Sequence, residues 1–147
     1  MSIRTALISV YHKTGLEDLA RGLDARGVKL FATGGTYDFI RNLGIQATPV
    51  EDITEFPSIL GGRVKTLHPK IFGGILNRRN DPSDQQECEQ HQIPSIDLVV
   101  VDLYPFSDTL KAGGSESEII EKIDIGGVSL LRAAAKNFRF VTVMSSY

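Results

Sequence analysis

Short apolar runs separated by amphipathic segments dominate the hydrophobic pattern of this chain. The runs contain many β-branched residues and are bounded by turn-forming residues, so they predict buried strands. The sequence predicts five strands, at residues 6–10, 28–32, 45–50, 96–103 and 140–144. Pro49 places the third strand near an edge of the sheet, because proline has no N–H to donate to a neighbouring strand.

Apolar residues at helical spacing fill most of the segments between these strands. Thr14 and Glu17 have the spacing of a capping box, and Gly27 marks the end of the first predicted helix. A short second helix ends at Gly44, and three more are predicted at residues 83–92, 116–123 and 128–137. Residues 71–76 fit either a helix or a strand. Residues 51–70 predict a long loop, and loops of that length usually serve a function.

The alternation of strands with helices predicts an α/β fold with a mainly parallel sheet and helices on both faces. Ligands of such folds bind at the carboxyl ends of the strands. Candidate site residues follow three of the predicted strands: Ser9 to Lys13, Thr33 to Thr36, and Asp102 to Tyr104.

Composition limits the function further. The 147 residues predict a single domain, and the formal charge of −2 argues against a nucleic-acid partner. A single cysteine, Cys88, excludes an intrachain disulfide and fits a reducing compartment. The sequence shows no signal peptide, membrane span or paired histidine spacing, so we expect a cytoplasmic protein without a membrane partner or a metal.

Four residues after the second strand, Thr33, Gly34, Gly35 and Thr36, predict an anion site. Their backbone N–H groups and hydroxyls can hold a phosphate at the start of a helix. A plain tight turn with Thr36 as the helix cap explains the same residues. Lys13 is expected at the same edge and adds positive charge, although a solvated lysine before a helix is equally compatible with the sequence.

A basic segment occupies the predicted long loop. Alternate residues of an extended segment point the same way, so Arg63 and Lys65 can face one ligand. Thr66 and His68 belong to the same segment and are also candidate site residues. The alternatives are a solvated basic loop and a structural histidine.

Further polar residues lie close to predicted element ends. Tyr104 can give or take a proton beside Asp102, or it is a packing residue. Asp124 precedes two glycines and a helix, so it is either a site carboxylate or a helix cap. Lys136 ends the last predicted helix, where a cation complements the helix dipole.

Taken together, these segments resemble one family. The strings Gly62-Arg63-Val64-Lys65-Thr66-Leu67-His68-Pro69 and Asp124 to Asn137, together with the segments after the strands, are similar in order to the inosine monophosphate cyclohydrolase domains of bifunctional purine-biosynthesis enzymes. The similarity covers essentially the whole chain.

The resemblance implies a methylglyoxal-synthase-like α/β fold and a reaction that closes the purine ring. In that reaction the carboxamide nitrogen of formyl-aminoimidazole-carboxamide ribonucleotide attacks the formyl carbon, water leaves, and inosine monophosphate forms. No cofactor is implied.

The resemblance also implies roles for individual residues. The 5′-phosphate would be held by Ser9, Lys13, Thr33, Gly34, Gly35 and Thr36. The ribose and base would be surrounded by Arg63, Lys65, Thr66, Asp102, Leu103, Asp124, Ile125 and Gly126. Proton transfer would fall to Lys65, Tyr104, Asp124 and Lys136, with Lys65 or Lys136 stabilising the formyl oxygen and Asp124 orienting the amide.

Several features depart from the family pattern. Thr33 stands where many relatives have serine, Asp102 where many have asparagine, and Phe138 where histidine is common. A carboxylate at position 102 cannot donate a hydrogen bond unless protonated. The family domain continues for some tens of residues beyond position 147, so we expect residues 1–147 to be one domain truncated at its C-terminus, with the formyltransferase domain absent. Full-length enzymes of this family are homodimers, so the resemblance implies a homodimer for the parent protein.

Two other functions remain open at this level. A non-catalytic nucleotide-binding regulatory module uses the same fold and phosphate loop, but it has no need for Lys65, Tyr104, Asp124 and Lys136 together. Methylglyoxal synthase shares the phosphate loop, but its other motifs are not matched here.

Overall fold

A computed structural model describes residues 2–146. Five strands form one sheet, and every pair of neighbouring strands is parallel. The strand order is β3-β2-β1-β4-β5. The strands are β1 (Thr5–Ser9), β2 (Lys29–Ala32), β3 (Thr48–Pro49), β4 (Leu98–Val101) and β5 (Thr142–Met144).

Helices connect the strands and cover the sheet. They are α1 (Leu16–Asp24), α2 (Gly34–Asn42), α3 (Val50–Thr54), α4 (Pro69–Leu76), α5 (Pro82–Gln90), α6 (Phe106–Lys111), α7 (Glu116–Glu121) and α8 (Gly126–Lys136). Leu60–Gly62 form a 3-10 turn between α3 and α4. None of the helices within residues 2–146 combines the length and the apolar character needed to cross a membrane.

Two apolar layers enclose the sheet because alternate strand side chains point to opposite faces. Ala6 and Ile8 pack with residues of α1 and α2 on one face. Leu7 packs with residues of α3, α4 and α8 on the other face. The predicted α/β fold with a parallel sheet between helices is therefore confirmed, and β3 lies at the predicted edge.

The structure corrects several local predictions. Strand β3 comprises only Thr48–Pro49 of the predicted strand 45–50, and the chain turns helical at Val50. Residues 51–54 of the predicted loop are therefore helical, and residues 71–76 belong to helix α4. Helix α6 was not predicted. Thr14 does not cap α1, because the residue preceding that helix is Gly15, which has a left-handed backbone with φ of 78° and no side chain to donate or accept a hydrogen bond.

A polar network joins the amino-terminal end of the sheet to the neighbouring loops. The Asp97 carboxylate accepts hydrogen bonds from the Arg4 and Thr5 N–H groups, and the Arg79 guanidinium donates to the Ile96 carbonyl. The Asn137 side chain donates to the Ile75 and Asn77 carbonyls at 2.7 and 2.9 Å. The Asn137 bonds satisfy buried backbone carbonyls, and the Asp97 bonds hold the start of β1, so we assign the network to the fold and not to the site.

Candidate active site

A cavity of about 700 Å³ lies where strands β1, β2 and β4 end. The strand register places Ile8 beside Ala32 and Ser9 beside Val101, so the residues that follow these strands meet at one edge of the sheet. Most of the predicted site residues line this cavity: Ser9, Lys13, Thr33, Gly35, Thr36, Arg63, Lys65, Thr66, Asp102, Tyr104, Asp124, Ile125 and Gly126.

Hydroxyl groups and a helix start define one end of the cavity. The Ser9 and Thr33 hydroxyls are 2.8 Å apart and hydrogen-bonded. Thr33 is the residue before α2, but its side chain does not cap that helix. The Thr36 N–H donates to the Thr33 carbonyl at 2.9 Å, so the N–H groups available to an anion in the first turn of α2 are those of Gly34 and Gly35.

Thr36 has a structural task at this end. Its buried hydroxyl accepts a hydrogen bond from the Val10 N–H at 3.1 Å and donates one to the Val10 carbonyl at 2.9 Å. Thr36 lies inside the first turn of α2, so the alternative of a Thr36 helix cap does not hold. These bonds fix the chain after β1 to the start of α2.

Lys13 reaches the same end of the cavity. Its ammonium donates to the Val10 and Tyr11 carbonyls and lies 3.5 Å from the Thr36 hydroxyl. Burial lowers the pKa of Lys13, and the negative charge of Asp102 partly opposes that effect. The lysine is thus held by carbonyl oxygens and points toward the helix start instead of into solvent.

The Lys65 ammonium lies against two glycines. A Cβ atom at Gly62 would come within 3.2 Å of the Lys65 Nζ atom, and one at Gly34 within 3.7 Å. Gly62 also has φ of 81°, which side chains disfavour. Lys65 therefore bridges the 58–68 loop and the start of α2, while Arg63 forms an ion pair with Glu121 of α7.

The start of α8 forms the opposite wall. One oxygen of Asp124 accepts a hydrogen bond from the Gly127 N–H at 2.6 Å, and the other accepts from the Tyr104 N–H at 3.4 Å. Asp124 thus serves as a capping carboxylate and also ties the end of β4 to α8. The Thr66 hydroxyl packs so closely on Gly126 that a Cβ atom there would lie 2.9 Å away.

Asp102 organises the loop that follows β1. Its carboxylate accepts from the Tyr11 N–H, from the His12 N–H at 2.9 Å and from the His12 ring nitrogen Nδ1 at 2.7 Å. Asp102 lines the cavity, but its oxygens are already bonded to this loop. The structure therefore gives it a clear role in holding Tyr11 and His12.

Aromatic rings and a lysine complete the cavity mouth. The Tyr11 and Tyr104 rings meet edge to face, with centroids 5.6 Å apart. The Lys122 ammonium lies over both rings. Tyr11, Lys122 and Glu121 also line the cavity. Tyr11 lies in the candidate segment Ser9 to Lys13, but Glu121 and Lys122 were not predicted as site residues, because nothing in the sequence indicates that α7 packs across this edge.

The cavity lining does not include His68 or three of the predicted site residues, Gly34, Leu103 and Lys136. Lys136 is the exposed last residue of α8, an eleven-residue helix whose first residue lines the cavity. The helical rise separates these two ends by about 15 Å. Leu103 packs toward Gly127, and Gly34 lies directly beside Lys65. His68 accepts a hydrogen bond from the Lys70 N–H and caps α4. It is therefore a structural histidine, the alternative that the sequence left open.

Comparison with known proteins gives a consistent result. The family described as MGS-like domain matches residues 15–129. The bifunctional purine biosynthesis protein PurH of Bacteroides thetaiotaomicron is 60% identical over 98% of this chain and 28% of its own length. PurH of Rhizobium johnstonii is 51% identical over 99% of the chain and 27% of its own length.

A solved structure described as "Crystal structure of ForH" superimposes with a TM-score of 0.80 at 39% identity, covering 97% of this chain and 74% of that one. The chain spans roughly a quarter of the length of the PurH relatives, which act in purine biosynthesis. On its sequence, its sheet and its cavity, this chain belongs to the MGS-like domain family.

Proposed function

We propose that the chain is an inosine monophosphate cyclohydrolase, which closes the purine ring of formyl-aminoimidazole-carboxamide ribonucleotide with loss of water. The observation that carries the proposal is a single cavity that joins an anion-binding helix start to a wall with a lysine, a phenol and a carboxylate. The similarity to PurH proteins supports the same reaction.

The 5′-phosphate is assigned to the α2 end of the cavity. The N–H groups of Gly34 and Gly35 offer hydrogen bonds, the hydrogen-bonded pair of Ser9 and Thr33 hydroxyls adds a donor, and Lys13 supplies positive charge. A helix N-terminus beside a lysine favours a dianion by both charge and geometry.

The ribose and base are assigned to the space between the 58–68 loop and the start of α8. Asp102 supports this part of the cavity indirectly, because its carboxylate fixes Tyr11 and His12. Leu103 contributes by packing on Gly127 instead of contacting the ligand. The remaining residues assigned to this space are Arg63, Thr66, Ile125 and Gly126.

Ring closure needs positioning first. An amide nitrogen is a poor nucleophile, and holding it against the formyl carbon can lower the barrier by roughly 7–11 kcal/mol in favourable cases. Asp124 is fixed by two backbone N–H groups, and each carboxylate oxygen keeps a lone pair for the substrate amide. Asp124 therefore orients the attacking nitrogen.

Proton transfer completes the reaction. The formyl oxygen gains negative charge as the carbon–nitrogen bond forms, and Lys65 stabilises that charge from the wall of the cavity. The oxygen then leaves as water, taking one hydrogen from the carboxamide nitrogen and one from the formamido nitrogen. Tyr104 carries a proton in this exchange. Lys136 takes no part within a single chain, because it lies at the far end of α8.

Steady-state turnover of the formylated ribonucleotide tests the proposal. Lys65→Met should lower kcat at least 100-fold, since one preorganised donor to a developing oxyanion contributes roughly that much. Lys70→Met is the matched control, because Lys70 pairs with Glu55 outside the cavity, and it should retain wild-type kcat. Tight nucleotide binding without turnover by the wild-type chain would favour a regulatory module instead.

A further inference from the structure

Lys122 occupies a distinctive position at the mouth of the cavity. It follows the last residue of α7, and its ammonium lies 5.1 Å from the Tyr11 ring centroid and 5.8 Å from the Tyr104 ring centroid. The two rings are nearly perpendicular, at 89°. Cation–π contacts of this kind hold an ammonium in place without neutralising its charge.

The charged groups around Lys122 have other hydrogen-bond partners, although the Glu118 carboxylate also keeps a Coulomb interaction with the Lys122 ammonium. Arg63 pairs with Glu121, and Lys13 donates to backbone carbonyls. Glu118, one turn before Lys122, bonds to the Ser115 hydroxyl at 2.7 Å and to the Ser115 N–H at 2.8 Å. Among residues 2–146, no carboxylate lies within ion-pair distance of the Lys122 ammonium.

An ammonium has three donors and no acceptor, so it selects acceptor atoms of a ligand. The other half of the cavity, with Ser9, Thr33 and the start of α2, suits the phosphate. Tyr104 and Lys122 line the same cavity, so a nucleotide that places its phosphate there can present its base to them.

We infer that Lys122 is a specificity-determining residue that donates a hydrogen bond to a carbonyl oxygen on the base of the bound ribonucleotide. The inference deepens the proposed function and rests on it. It accounts for selection of an oxo-purine over an amino-purine, since an amino group at the same position presents donors to a donor-only ammonium. Tyr11 and Tyr104 hold the ammonium in position for this contact.

Calorimetric titration of the whole chain with three probes tests the inference: inosine monophosphate, adenosine monophosphate and ribose 5-phosphate. Lys122→Met should weaken inosine monophosphate binding about tenfold, the loss expected for one hydrogen bond from a charged donor. It should leave ribose 5-phosphate affinity unchanged and reduce the preference for inosine over adenosine monophosphate. Lys122→Arg, which keeps the cation and the donors, should recover most of the affinity.

Lys111→Met is the matched control, because Lys111 is an exposed lysine of α6 that does not line the cavity. It removes the same charge and should change none of the three affinities. Equal weakening of all probes by Lys122→Met would mean a long-range charge effect, and unchanged inosine monophosphate binding would mean no contact. Either result overturns the inference alone. A wild-type chain that binds no inosine monophosphate overturns the proposed function together with it.

Discussion

Asp124 shows how one side chain serves both the fold and the proposed chemistry. Its carboxylate accepts from the Gly127 N–H at the start of α8 and from the Tyr104 N–H at the end of β4. The sequence left a helix cap and a site carboxylate as alternatives for Asp124. In the structure Asp124 caps α8, and its oxygens can still accept a hydrogen bond from a ligand. Substitution can separate the two roles.

Asp124→Asn keeps a capping oxygen, so we predict that the free energy of unfolding changes by only a few tenths of a kcal/mol. Asp124→Ala removes the cap and should lose about 1 kcal/mol. Both variants should lose most of the turnover, because neither has a carboxylate to orient the amide. Urea unfolding and steady-state kinetics measure the two effects, and full activity in Asp124→Asn would remove Asp124 from the chemistry.

Lys13 gives a prediction about pH. In the proposed site the protonated Lys13 ammonium binds the phosphate, and burial lowers the pKa of Lys13 from its ordinary value of 10.5. Affinity for ribose 5-phosphate should therefore fall as the pH rises through this lowered pKa, earlier than for an exposed lysine. The dissociation constant measured between pH 7 and pH 10 follows this loss.

Lys13→Arg is the control for this titration, because a guanidinium stays protonated throughout the range. We expect its affinity to vary less with pH than that of the wild type. Identical pH profiles for the two proteins would exclude Lys13 from the phosphate site.

The sequence predicted some residues of the cavity well and others not at all. Ser9 ends β1, while Thr33 and Asp102 follow β2 and β4; parallel strands bring their carboxyl ends together, so the sequence was sufficient to place these residues. Tyr11 and Lys122 meet only because α7 crosses the sheet edge, and no local pattern encodes that packing. The family resemblance placed Lys136 in the site, but in the structure Lys136 lies at the end of α8 that is far from the cavity.

At the level of elements, two segments with the spacing of a capping box have different structures. Thr14 and Glu17 have capping-box spacing, yet Gly15 precedes α1 and no side-chain cap forms. Ser115 and Glu118 have the same spacing, and both bonds of the box form at α7. The signal states which bonds are possible, but the path of the incoming chain decides whether the hydroxyl reaches the helix start.

Helices α6 and α7 form a part of the molecule with little burial. No residue between positions 102 and 129 is buried, whereas every residue of β4 is. The segment is tied to the body of the protein by the Arg63–Glu121 ion pair and by Lys122 over the two tyrosines. Such exposed ties contribute little free energy, so the segment should open without global unfolding.

Hydrogen–deuterium exchange tests this expectation. Amides of α6 and α7 should exchange on a timescale of seconds to minutes, well before those of β1 and β4, because their opening exposes almost no apolar surface. Saturating inosine monophosphate should slow exchange at the end of α7, where we propose that Lys122 contacts the ligand. Peptides from α1, which lies away from the cavity, serve as the internal control.

Protection of α6 and α7 equal to that of β4 in the free chain would contradict the expected local opening. It would mean that α6 and α7 contribute to the core as much as the strands do. Protection that nucleotide leaves unchanged would separate α7 from ligand binding.

At the scale of the whole molecule, the fold was predictable because periodicity reports burial directly. Buried strands with apolar residues on both faces require helices on both sides of a parallel sheet, and the chain has that architecture. The segment from residue 50 to residue 76 was less predictable. Its helices α3 and α4 are short, and Gly73 and Gly74 obscure the helical pattern of α4.

The molecule also shows why the site lies at one end of the sheet. Three strand ends, two helix starts and the 58–68 loop converge on a single cavity, so charged groups from distant parts of the sequence meet there. The relatives with 60% and 51% identity extend well beyond the part that this chain matches. The proposed ring closure uses only side chains that line this cavity.

The most direct test of that claim follows the oxygen atom that leaves. The wild-type chain is incubated with formyl-aminoimidazole-carboxamide ribonucleotide labelled with ¹⁸O in the formyl group, and products are identified by mass spectrometry over time. We expect unlabelled inosine monophosphate, formed far faster than without protein, with the label released as water. Labelled formate with free aminoimidazole-carboxamide ribonucleotide, or ring closure at the uncatalysed rate, would contradict the proposed cyclohydrolase.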